Sequence, residues 1–164
     1  MYANPLHGTD APETHGATGE PITWTSQVAF DPGLIERLVA ANDRLRAAFA
    51  RVVDAWHGGD AEVAAAAEHC AHELHALNRT EALRLYPVIA RRFASHPEAL
   101  EAFTRRRLAV YGHGRKLLRF LENATARRAD AGELRAAIEF LSRYVAEKQA
   151  QLYTLYLAVG KNVA

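Results

Sequence analysis

The chain is poor in the features that mark most functional classes. It has one cysteine, Cys70, which excludes an internal disulfide framework and fits a reducing compartment. No apolar stretch approaches the roughly 20 residues that a membrane span needs. The opening MYANPLHGTDAPETHGATGEPITW lacks a positive region followed by an apolar one, so no secretory signal is expected and the cytoplasm is the expected compartment. An excess of one charge is missing too: Lys and Arg total 20 against 19 acids, giving a net +1. The bases are dispersed apart from Arg105, Arg106 and Arg107, so no nucleic-acid footprint is expected, and that run reads as a solvated face or a landing point for an acidic partner. There is no nucleophile elbow, no glycine-rich phosphate loop and no paired-cysteine metal motif, and an enzyme is not expected.

What the sequence does have is helical periodicity. Its 164 residues, 49% hydrophobic, suffice for one domain with one core. Residues 1–27 are rich in Gly, Pro, Thr and His without sustained periodicity, which reads as a flexible N-terminal arm that Trp24 could pin down. The bundle is expected over 28–164, with helices at about 32–57, 61–94, 97–127 and 131–160. Asp31 is the expected cap of the first helix, with Pro32 at its first position and Ile35, Leu38, Leu45, Phe49, Val52 and Trp56 facing inward. Gly58-Gly59 ends it. The second helix presents Val63, Ala67, Cys70, Leu74, Leu77, Glu81, Leu85 and Val88, and Pro87 is expected to kink it. Ser95 with Glu98, and Asp130 with Glu133, are the spacing of capping boxes for the third and fourth helices. The third turns Leu100, Phe103, Val110, Leu117 and Phe120 inward. The fourth has the seam Leu134, Ile138, Leu141, Val145, Lys148, Leu152, Leu155 and Val159, with Gly160 as its expected stop. Short turns between such helices predict an all-α, up-down-up-down antiparallel four-helix bundle.

Four polar residues occupy seam positions: Asn42, Glu81, His113 and Lys148. Counting residues from the turns, at a rise of about 1.5 Å each, brings them towards one central layer. A buried charge without a partner costs several kcal/mol, so these groups are expected to pair with one another or to hold a ligand or metal. Tyr144 stands one turn before Lys148; with Tyr153 and Tyr156 it reads as an amphipathic residue at the edge of the core. Gly112 and Gly114 flank His113 at a cost of about 1 kcal/mol each in a helix interior, making room for a ligand, a neighbouring helix or a bulge. His69, His72 and His75 with Glu68 and Glu73 form a second cluster at helical spacing; relative to the seam it points outward, so it reads as a solvated face, with a metal site the alternative. Cys70 reads as a small core residue. Ile89 and Leu157, read as exposed, leave a homodimer open.

The segment HELHALNRTEALRLYPVIARRF, with Glu81 followed by Leu85-Tyr86-Pro87, resembles the hemerythrin-like (HHE) cation-binding domains, and the similarity extends over about residues 28–160, including SQVAFDPGLIERL and LYTLY. The resemblance implies a four-helix bundle around a non-haem di-iron centre held by His and carboxylates, which binds or senses oxygen or a related small molecule. Carried over by position, the helix 2 carboxylate is Glu81 and a helix 3 histidine is His113. The other expected ligands fall on Asn42, Leu77, Tyr144 and Lys148. Two matches cannot hold two irons, so the resemblance implies a degenerate metal site in which Lys148 supplies the positive charge beside Glu81. The expected function is therefore a non-enzymatic binding or regulatory module acting through a protein partner or small ligand, with no cofactor. The alternative is a working non-haem iron protein using Glu81, His113 and, from the outer cluster, His69, His72 and Glu73.

Overall fold

The computed structural model describes residues 28–161; the expected N-terminal arm, with Trp24, lies outside the described residues. The described residues form an all-α bundle of four helical arms. The first is α1 (Leu34–Ala55). The second comprises α2 (Asp60–Thr80), a π-helical segment (Glu81–Leu85) and α3 (Tyr86–Arg92). The third is α4 (Pro97–Thr125). The fourth comprises α5 (Ala131–Glu147), a second π-helical segment (Lys148–Tyr153) and α6 (Thr154–Lys161). Among the described residues there is no strand and no helix long and apolar enough to cross a membrane.

The arms pack α1 on α2, α2 on α4 and α4 on α5, with α3 against α6. The apolar seams meet in one core that includes Leu38, Leu45, Phe49, Val52, Leu74, Leu117, Leu121 and Leu152, each fully or almost fully buried. Burying one such side chain stabilises the fold by about 1.5–3 kcal/mol relative to leaving it in water. Phe120 anchors one end, with the rings of Phe49 and Trp56 each 6.0 Å from it. At the other end Phe30 stacks on Tyr156 at 4.9 Å, and the Tyr156 hydroxyl accepts from the Asp31 amide at 2.8 Å.

The ends of the helices differ in part from the expectation. The capping box of Asp130 and Glu133 is present, each side chain accepting from the other residue's amide at 2.8 and 3.0 Å. That of Ser95 and Glu98 is not: the helix begins after His96 without a side-chain cap, and Ser95 Oγ instead lies 3.0 Å from His96 Nδ1. Asp31 closes the turn before α1 by accepting from the Gly33 amide at 3.1 Å, and the helix starts at Leu34. Gly160 does not stop the last arm, since α6 continues through it to Lys161. Its lack of a side chain lets the Phe30 ring lie where a Cβ would stand.

Ahead of Pro87, where the sequence leads one to expect a kink, the backbone forms the first π segment. The ring has no N–H to donate and crowds the carbonyl four residues earlier. The backbone widens there, and the Tyr86 amide bonds five residues back to the Glu81 carbonyl. The second π segment contains no proline or glycine; it is accompanied by Thr154 Oγ1 donating to the Gln149 carbonyl, also five residues back, at 3.1 Å.

Candidate functional site: a buried charge pair framed by tyrosines

Both π segments begin at a charged residue, Glu81 in one arm and Lys148 in the other. Both side chains are inaccessible to water, and Lys148 Nζ lies 2.6 Å from Glu81 Oε1. The contact is an ion pair off the alignment of a linear hydrogen bond, and the ammonium also faces the π surface of Tyr144, 4.1 Å from its ring centroid. Burial pushes the lysine below its ordinary pKa, against the opposing pull of the Glu81 charge.

The rest of the carboxylate is met by tyrosines. Tyr153 donates to Oε1 at 2.7 Å, and Tyr86 donates to Oε2 at 3.2 Å. Each lies five residues after the charged residue that opens its π segment, Tyr86 after Glu81 and Tyr153 after Lys148. In a regular α-helix that spacing would turn the tyrosine about 140° away. The wider π turn returns it towards the same side. Asn42 on α1 completes the chain, its Nδ2 donating to the Tyr153 hydroxyl at 2.9 Å, while its Oδ1 is buried without a hydrogen-bond partner. Burial first, and the Glu81 charge second, push the Tyr153, Tyr86 and Tyr144 phenols well above the ordinary tyrosine range, so they remain donors.

Tyr144 reaches past the charge pair. Its hydroxyl donates to Asn78 Oδ1 on α2 at 2.5 Å. The ring crosses α4 at Gly114, where an added Cβ would lie 2.9 Å from Tyr144 Cε2. Gly114 therefore makes room for a neighbouring helix's side chain. At Gly112 an added Cβ would meet nothing within 4 Å.

The structure thus brings Asn42, Glu81 and Lys148 into one network beside Tyr144. His113 is placed differently: its Nε2 lies 3.4 Å from Glu147 Oε1, its ring is 6.5 Å from that of Phe140, and its buried Nδ1 has no hydrogen-bond partner. It sits at the α4–α5 seam. His69, His72 and His75 are exposed, and Glu73 faces Arg44 at 3.6 Å. Among the described residues no three of His, Cys, Asp and Glu stand together as a metal would require. Cys70 is fully buried, and burial, with the nearby Glu73 charge, pushes its thiol up to about 12. Ile89, read as exposed, is buried, whereas Leu157 is exposed.

Tyr86, Tyr153 and Asn78 are the network members that periodicity does not reveal. The donor set does not fit the di-iron centre that the resemblance implies. The central carboxylate is already satisfied by two phenols and an ammonium, and a lysine ammonium offers protons but no lone pair. No family model, no curated protein and no solved structure matches the chain.

Proposed function

We propose that the chain is a hemerythrin-like bundle whose centre is occupied by the Glu81–Lys148 pair in place of iron, and that it serves as a non-enzymatic binding or regulatory module working through its surface. One observation supports this reading: Lys148 Nζ sits 2.6 Å from Glu81 Oε1 and sets a positive charge beside the buried carboxylate. Two further features agree with it. Neither member of the pair is accessible to solvent, and burial beside the Glu81 charge keeps the tyrosines that frame them as donors. A bundle closed in this way has its outer faces left for recognition.

The test is elemental analysis and a visible spectrum of full-length protein purified without an affinity tag. The expected result is a colourless protein with iron far below one atom per chain. Close to two irons per chain, with the absorption bands of a non-haem centre, would overturn the proposal.

A further inference from the structure

Outside the central network, one stretch of α4 is strongly basic. Residues 102–121 contain Arg105, Arg106, Arg107, Arg115, Lys116 and Arg119 and no acid, on a protein whose net charge is only +1. The outward side of this helix is not uniformly polar. Leu108 and Tyr111 are 57% and 53% exposed, among the most exposed large apolar side chains of the bundle. One turn on, Gly112 leaves an open notch. Helical spacing aligns Leu108, Tyr111, Gly112, Arg115 and Arg119 in one stripe, since they recur three or four residues apart. Arg115 and Arg119 have no carboxylate partner among the described residues, although Glu122 lies at the end of the same stripe. Lys116 leans to the flank, 5.1 Å from the Phe140 ring centroid. A shallow cleft of about 460 Å³ follows this surface and is lined by Tyr111, Gly112, Arg115, Arg119 and Glu122 among others.

We infer that this face of α4 is the docking surface for an acidic amphipathic segment of a partner protein, which seats an apolar side chain over Gly112 against Leu108 and Tyr111 and sets its carboxylates on Arg115 and Arg119. Three features select this occupant. The exposed apolar pair needs an apolar counterpart to leave water. The missing side chain at Gly112 forms a hole for a knob from a facing helix. Arginine's planar fork pairs with carboxylates in two-point contacts, and Arg and Tyr are the residue types on which binding energy concentrates. Duplex nucleic acid would use the cations but leave the apolar pair without a role. The inference rests on the reading of the protein as a surface-acting module, and it names the surface and the chemistry of its partner.

The experiment uses full-length protein and a fluorescein-labelled synthetic helical peptide with leucines along one stripe and glutamates on both flanks, followed by fluorescence anisotropy. Saturable binding is expected. It should weaken about tenfold or more in Arg115→Glu/Arg119→Glu and, separately, in Gly112→Trp. Each variant's thermal unfolding is checked against the parent. A peptide with serine for every leucine should bind far more weakly. Equal binding of the serine peptide, or Gly112→Trp without effect in a folded protein, would overturn the proposal. So would tighter binding of a DNA duplex that competes for the same arginines. Iron at two atoms per chain would refute the degenerate-site reading while leaving these binding results to be judged independently.

Discussion

Glu81 and Lys148 are 2.6 Å apart, and each is the first residue of a π-helical segment in its own arm. The widened backbone and the charge belong together. Each segment returns a tyrosine, Tyr86 or Tyr153, towards the carboxylate that a regular helix would not let it reach. A polar centre in an apolar bundle is stable only when nearly every hydrogen-bonding group in it has a partner.

Breaking the pair on one side should therefore be costly. Lys148→Met leaves Glu81 buried opposite a thioether and should lower unfolding free energy by about 3–5 kcal/mol. Glu81→Leu/Lys148→Met removes both charges and should recover most of that loss. Urea titration of the parent and these variants checks it, and a single variant within about 1 kcal/mol of the parent would show that the pair does not hold the centre.

Tyr153→Phe tests the relay separately. The phenol donates to Glu81 and accepts from Asn42, so deleting one oxygen strands a buried amide and removes a charge-assisted bond. The expected cost is about 1–3 kcal/mol. Tyr153→Phe combined with Asn42→Leu should cost less than the sum of the two single changes, because they share that bond.

The two glycines beside His113 should answer the same substitution with opposite signs. Gly112→Ala meets open space and gains helix propensity, so it should stabilise by about 0.5–1 kcal/mol. Gly114→Ala places a methyl 2.9 Å from Tyr144 Cε2, and pushing that ring off Asn78 should outweigh the same gain by about 1–3 kcal/mol. Thermal denaturation of the two variants side by side distinguishes them.

Cys70 gives the pH dependence. Its thiol is pushed up from 9.0 to about 12 in the folded chain. The folded state therefore keeps a proton that the unfolded chain releases, so the stability Cys70 contributes is whole below pH 9 and is lost as pH rises from 9 towards 12. Compared with Cys70→Ala, the parent should lose stability more steeply over pH 9 to 10.5. At pH 8 the thiol of the native protein should react with iodoacetamide only as fast as the chain opens.

Much of the fold was legible because the seams are long and the turns short, and Leu38, Phe49, Leu74 and Leu117 lie where a period of 3.6 puts them. Asn42, Glu81 and Lys148 stood out for the same reason, as polar residues in apolar rows. The period failed where the backbone departs from it. Tyr86 and Tyr153 follow Glu81 and Lys148 by five residues, and only a π turn makes that spacing inward-facing. Ile138 has the spacing of the inner seam but is 43% exposed, because on that turn the close packing is made by Ala137. Its depth along α4 places His113 level with the central layer. Depth is not direction, and its ring turns to Glu147 instead. Gly160 has the residue type of a helix stop, but the sequence gives no sign that Phe30 needs its surface.

That last contact ties together two segments far apart in sequence. Phe30 rests on Tyr156 and Gly160, and the Tyr156 hydroxyl receives the Asp31 amide. Neither the lead-in to α1 nor the α6 turn can fray without uncovering the other. Hydrogen exchange should therefore find one opening unit here, with the amides of Asp31 and of the Tyr156 turn protected to the same degree.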